Sequence, residues 1–93
     1  MLLGALVILS AYSSKAGTGE TLMGFAISGA TTRDAGYSTY GVALMGNDVS
    51  RASAVSVVTG LNPGSNTFTA KYMTNGSGAA YFMNRDIIVI PLP

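Results

Sequence analysis

The sequence of 93 residues contains no cysteine and no histidine. Without cysteine, the chain has no disulfide framework and no thiolate metal site. Without histidine, it lacks the commonest metal ligand of proteins and the usual general base near neutral pH. A nucleophile–histidine–acid triad is therefore excluded, and a serine–lysine pair would require Lys15 or Lys71 to be buried beside a hydroxyl group.

Charge is also scarce, because only 10% of the residues are Asp, Glu, Lys or Arg, against about 25% in ordinary globular domains. The formal net charge is +1, and no basic cluster points to nucleic acid or to an anionic membrane surface. Hydrophobic residues make up 48% of the chain. Two interpretations remain: a neutral surface of Ser, Thr, Asn and Gly, or, as we favour, a surface covered by sister subunits or a larger assembly.

The four carboxylates lie in or beside predicted loops and are Glu20, Asp34, Asp48 and Asp86. A glycosidase needs two carboxyl groups roughly 5–10 Å apart in a cleft, and solvated loop charges are the more ordinary outcome. Asn47-Asp48 and Asp34 are candidate calcium ligands, but the spacing of a calcium loop is missing. The sequence therefore predicts no catalytic residue, no cofactor and no metal ion.

The most apolar run, Met1–Leu9, has three interpretations. It is too short for a transmembrane helix, which needs about 20 apolar residues. It lacks the basic start of a signal peptide, and its cleavage signal is poor. We therefore predict a buried strand over residues 6–9. A strand so close to Met1 suggests either a natural chain that extends upstream or a truncated or internal start at Met1.

Turn signals divide the remaining sequence into short apolar or alternating segments. The Leu61–Gly64 segment places glycine after proline, as type II turns do, and Asn75–Gly78 fits a hairpin turn. Asn75-Gly76-Ser77 also matches the Asn-x-Ser pattern of a glycosylation acceptor, although a plain turn explains it. The predicted strands cover residues 6–9, 21–28, 37–45, 51–59, 67–74, 79–83 and 86–92.

These segments predict a single domain over residues 1–93 and an all-β fold. Turns recur about every 8–12 residues, which favours one antiparallel β-sandwich of about seven strands, either jelly-roll-like or immunoglobulin-like. Phe68, Ala70 and Tyr72 share one face of their strand. The run Ile87–Ile90 predicts a strand buried on both sides, and Pro91 is expected to stop its pairing.

Tyr37, Tyr40 and Arg51 are the candidate binding or interface residues. The two tyrosines lie near a predicted loop, where a ring could stack on a sugar, although tyrosines in a core or a subunit interface are more frequent. Loops at the end of a rigid sandwich commonly carry recognition. The corresponding segments are Arg33–Tyr40 and Asn47–Arg51.

The segment Val58–Tyr72, reading VTGLNPGSNTFTAKY, and the ending Phe82–Leu92, reading FMNRDIIVIPL, resemble segments of tailed-bacteriophage virion proteins. Met23–Thr32 is similar as well. The resemblance is to small β-sandwich structural proteins of the capsid-decoration or tail-fibre type. It implies a virion location, a homo-oligomer with trimeric symmetry, contacts with other virion proteins, and no catalytic residues.

Three hypotheses follow. The first is a non-enzymatic virion structural protein that assembles as an oligomer on a capsid or on a tail fibre or similar appendage. The alternative is a receptor- or glycan-binding module that uses the loops at Arg33–Tyr40 and Asn47–Arg51 to bind a host surface. A small hydrolase is remote, because histidine is absent and the carboxylates are scattered.

Overall fold

The computed structural model describes residues 3–45 and 49–93, which form two antiparallel sheets of three strands each. The first sheet has the order β4-β1-β6 and the second has the order β3-β2-β5. The elements in chain order are β1 (Leu3–Lys15), β2 (Glu20–Gly29), α1 (Tyr37–Tyr40), β3 (Val42–Met45), β4 (Val49–Leu61), β5 (Asn66–Thr74) and β6 (Ala80–Leu92). The all-β prediction is confirmed.

The two central strands, β1 and β2, supply most of the core. Strand β1 alternates strictly, so that Val7 and Leu9 are fully buried while the residues between them are only partly covered. Phe25 of β2 packs its ring against Phe68 of β5, with ring centroids 5.8 Å apart. Because side chains alternate across a strand, one face of each sheet lines the shared core and the other faces outward.

The structure differs from the predicted strands in three places. Strand β1 continues to Lys15, well beyond the predicted strand over residues 6–9, because Ser13 and Lys15 keep the inward alternation of the apolar residues before them. Residues 37–40 form a single helical turn, so the predicted strand over 37–45 is reduced to β3. The last two predicted strands are one strand, β6, and the described residues therefore contain six strands.

A bulge explains why β6 looked like two strands. Asn84 has a positive φ of 50°, and the pairing of β6 with β1 shifts register between Ser10 and Tyr12. The irregularity lets the chain absorb an extra residue without ending the strand. It also turns Arg85 toward the second sheet, where its guanidinium carbon lies 5.3 Å from the centroid of the Tyr72 ring.

The prediction that Ile87–Ile90 is buried on both sides is wrong. Strand β6 is an edge strand whose inward residues, Ile87 and Val89, are partly buried, whereas Ile88 and Ile90 are 49% and 44% exposed. Pro91 does not stop the pairing either, since it lies opposite Ala5. An edge strand accepts proline because one side of its backbone has no ladder partner.

Asn75–Gly78 does not close a hairpin, because β5 and β6 belong to different sheets. The connection instead pairs with the β1–β2 loop through backbone hydrogen bonds from Ala16 N to Ala79 O, 3.0 Å, and from Ser77 N to Thr18 O, 3.1 Å. Gly78 has a φ of +88°, and a Cβ on it would collide with the backbone oxygen of Ala16. Glycine is needed here because two backbones touch, and the contact joins the two sheets at one end.

Candidate functional site

The outward side of the β4-β1-β6 sheet is the most unusual surface of the molecule. Its side chains form five rows that cross the sheet, each with one residue from β4, one from β1 and one from β6. The rows are Val57–Leu6–Ile90, Val55–Ile8–Ile88, Ser53–Ser10–Asp86, Arg51–Tyr12–Met83 and Val49–Ser14–Tyr81. We call this surface the exposed apolar face.

From Val49 to Val57, strand β4 turns its larger apolar side chains away from the core, whereas Val58 and Leu61 near its end are buried. Val55 and Val57 are 63% and 59% exposed, while Ala52 and Ala54 point inward and are partly buried. A strand with one solvated side normally places the larger apolar residues inward. Val55 and Val57 reverse this pattern.

The total accessible surface of the chain is ordinary in area. What is unusual is how many large apolar side chains it exposes. The accessible surface is 5190 Å², close to the roughly 5,000 Å² expected for a compact monomer of this mass. The chain is therefore not poorly packed. Seven of its large apolar side chains on the exposed apolar face are more than 40% exposed, and they are Val49, Val55, Val57, Tyr81, Met83, Ile88 and Ile90.

The two charged residues of this face, Arg51 and Asp86, lie in its fourth and third rows. The Arg51 guanidinium reaches along the sheet, with Nη1 3.5 Å from Ser10 Oγ. Ser10 lies in the same row as Asp86 of β6. The face thus carries one cation on its β4 side and one anion on its β6 side, with two wholly apolar rows at one end.

A second apolar surface lies between the open edges of β5 and β6. These strands end their respective sheets on the same side of the molecule, and a groove of about 580 Å³ separates them at one end. Phe68, Ile87 and Val89 line this groove. Asn66 also lines it, and its Oδ1 is buried with no hydrogen-bond partner among the described residues.

Two of the three predicted site residues are used in packing. Tyr40 lies against Phe25, with ring centroids 5.3 Å apart, and its backbone oxygen accepts a hydrogen bond from Ser56 Oγ at 3.4 Å. Tyr37 covers Gly24, where an added Cβ would lie 3.1 Å from Cδ1 of the ring. The helical turn α1 therefore fastens the end of the second sheet, and the two rings do not form an open stacking platform.

Arg51 lies apart from both tyrosines, on the exposed apolar face of the other sheet. The predicted loop Asn47–Arg51 is not a loop over its last three residues, since β4 begins at Val49. Asn47 and Asp48 lie outside the described residues, so the calcium hypothesis at these positions gains no structural test. The structure thus brings Arg51 together with Ser10 rather than with Tyr37 or Tyr40.

Lys15 is buried beside a hydroxyl group, which is the condition stated above for a hydroxyl–lysine pair. It is 3% exposed, and its Nζ donates hydrogen bonds to Thr74 Oγ1 at 2.8 Å and to Gly78 O at 3.2 Å. Thr74 Oγ1 donates onward to Glu20 O at 3.1 Å. A nucleophile must give its proton to the base, whereas here the ammonium donates to the hydroxyl, so the arrangement is a structural clamp on the loop at Asn75–Gly78.

No group of three or more carboxylates able to hold a metal ion occurs in the described part of the chain. Glu20 is engaged at the loop contact, where its Oε1 accepts from Asn75 Nδ2 at 3.2 Å. Asp34 is exposed beside Arg33, whose Nη2 donates to Thr59 O at 2.6 Å. Over residues 3–45 and 49–93, no helix is long and apolar enough to cross a membrane.

Residue alternation along the chain provides only half of the signal for the exposed apolar face. Alternation separates Val55 and Val57 from Ala54 and Val58, but it does not say which set points inward. Only the position of β1 between β4 and β6 places the outward residues of three strands in common rows. The surface is therefore a product of tertiary pairing.

The comparisons with known proteins give no relative. The chain matches no protein-family model, and no curated protein or solved structure is significantly similar to it.

Proposed function

We propose that this protein is a non-enzymatic structural subunit of a bacteriophage virion, which assembles as a homo-oligomer on a capsid or on a tail fibre. The observation that carries the proposal is the exposed apolar face, with Val55 and Val57 about three-fifths exposed. Exposed apolar patches of this kind mark protein interfaces more often than free surfaces. The similarity of Val58–Tyr72 and Phe82–Leu92 to virion segments supplies the context.

The low charge supports the same proposal. Of the five basic and four acidic residues in the chain, only Arg51 and Asp86 belong to the five rows of the exposed apolar face. Interface centres are depleted of charge, while their margins remain polar. A subunit whose function is mechanical needs buried contact area between copies and no reaction centre.

We further propose that the two sheets form a jelly-roll-like β-sandwich. The chain passes between the sheets at β1–β2, at β3–β4, at β4–β5 and at β5–β6, which is compatible with interleaved Greek-key connections. An eight-stranded jelly roll has two four-stranded sheets. The open edges of β5 and β6, with the apolar groove between them, are where one more strand could join each sheet.

The virion proposal is tested by purifying phage particles on a density gradient and measuring this chain by quantitative mass spectrometry. A structural subunit is expected in the particle fraction at a fixed copy number per particle. Immunogold labelling of the same fraction separates a capsid location from a tail location. A chain that is abundant in the lysate and absent from washed particles contradicts the proposal.

A further inference from the structure

The exposed apolar face carries information about how its partner is oriented, because its rows are not alike. Two rows at one end contain only Leu, Ile and Val, and the polar groups come next, with Ser53, Ser10 and Asp86 in the third row. Arg51 stands in the fourth row and points back to Ser10. A partner must therefore match apolar rows with apolar rows and pair one cation with one anion.

We infer that the partner is a second copy of this chain, related by an axis that runs parallel to the strands, so that the β4 half of one copy covers the β6 half of the next. This inference rests on the proposed assembly. Rotation about such an axis leaves every row at its own height. Val55 and Val57 of one copy then face Ile88 and Ile90 of the neighbour. Arg51 stands one row away from Asp86, but its guanidinium reaches back to the third row, where it pairs with the neighbour's Asp86.

The opposite arrangement conflicts with the charges. If the axis ran across the strands through the Ser10 row, β6 of one copy would face β6 of the other. Asp86 of one copy would then lie opposite Asp86 of the other copy. Arg51 would then lose water opposite Val55. Like charges placed together across an interface cost several kcal/mol, and a desolvated cation without an anion is also unfavourable.

The area of the face agrees with a partner of this kind. Three strands about 4.8 Å apart and five rows about 6.7 Å apart give a projected area of roughly 500 Å². The accessible area of the exposed apolar face is larger than this projected area, because side chains project from the sheet. It is therefore comparable with the ~800 Å² that each partner contributes to a standard interface. Two sheets pack face to face when their strands are nearly aligned, as the proposed axis requires.

Chemical cross-linking tests the orientation directly, because the natural chain has no cysteine. Val55→Cys and Ile88→Cys are co-expressed as chains with tags of different length and treated with a short bismaleimide. We expect a product that links position 55 of one chain to position 88 of the other. Both positions are exposed, so the substitutions leave the fold intact.

The matched control replaces Ile88→Cys with Tyr81→Cys, on the same strand and the same face but three rows away. That position lies about 20 Å from the matched height, beyond the reach of the reagent. We expect no link between positions 55 and 81. A dominant link from 55 to 55, a link from 55 to 81, or no interchain link at all overturns the inferred orientation.

Charge reversal provides an independent test. Arg51→Asp and Asp86→Arg each place like charges together and are expected to raise the dissociation constant of the oligomer by about tenfold or more. Mixing the two variants restores association, because each chain then meets the opposite charge. Lys71→Asp, on the outward side of the other sheet, alters the net charge as Arg51→Asp does and is expected to leave association unchanged. Variants that fail to complement each other overturn the Arg51–Asp86 pairing.

These tests are separable from the test of the virion proposal. A chain that is present on particles but gives no link between positions 55 and 88 retains the structural function and refutes the orientation. A chain that gives this link in solution but never appears on particles retains the orientation and refutes the virion location.

Discussion

Replacing two outward valines with threonine distinguishes an interface from an ordinary surface. Val55 and Val57 are 63% and 59% exposed on β4, and threonine keeps the branched shape and the strand preference of valine. Folding of the isolated chain should therefore change by less than about 0.5 kcal/mol. Association should weaken, because each hydroxyl group is removed from water when the face is covered.

The expected size follows from the exposed fractions. Burying a whole valine side chain contributes about 1.5 kcal/mol or more, so covering the remaining three-fifths contributes about 1 kcal/mol per valine. Two copies that meet contain four such positions if both valines of each copy are covered. The double variant should therefore lose about 4 kcal/mol of association free energy, or roughly a thousandfold in dissociation constant.

The assay is sedimentation equilibrium over a wide concentration range, with urea unfolding measured on dilute protein. Val58→Thr is the matched control, because Val58 adjoins Val57 on the same strand but is 0% exposed in the core. This variant should lose about 1–3 kcal/mol of folding stability, since a buried hydroxyl lacks water. If Val55→Thr/Val57→Thr leaves the dissociation constant within twofold of the natural value, the exposed apolar face is not an interface.

Three further predictions concern the fold. Phe25→Ala should lower the free energy of unfolding by about 3–5 kcal/mol, because the ring fills the centre of the core; a loss below about 1 kcal/mol in urea unfolding would mean that the sheets are not packed as described. Thr74→Val should cost about 1–2 kcal/mol by removing an acceptor from the buried Lys15 ammonium, and Thr74→Ser should retain stability; equal effects of the two variants in thermal unfolding would refute a role for the hydroxyl. Gly78→Ala should destabilise the fold by about 1–3 kcal/mol, since its φ is +88° and the backbone of Ala16 is in contact; an unchanged melting temperature would show that the loops do not touch.

The alternation of single strands was predictable because it depends only on local geometry. Phe68, Ala70 and Tyr72 face the core, as their period of two indicated. The start of β5 at Asn66 also follows from residues close in sequence, because a turn precedes it. Gly64 in this turn has a φ of +125°. Such features need no knowledge of distant contacts.

The predictions from sequence were wrong for features that depend on which strands lie beside each other. Ile88 and Ile90 have the composition of a central strand, yet β6 is an edge strand whose outward side is uncovered. Asn75–Gly78 has the composition of a hairpin turn, yet it crosses between sheets because Lys15 and the β1–β2 loop hold it there. The composition of each segment shows that it forms a strand or a turn, but it does not show which strands or loops pack against it.

The sequence by itself determined that the protein is β-rich, weakly charged and without histidine- or cysteine-based chemistry, because these properties follow from composition and a period of two. Tertiary structure alone decided that the outward residues of β4, β1 and β6 form one apolar surface with Arg51 and Asp86 near its middle. Strand pairing joins residues that lie far apart in the chain. The physical reason is that local preference sets the direction of each side chain, while the pairing of distant strands decides what that side chain meets.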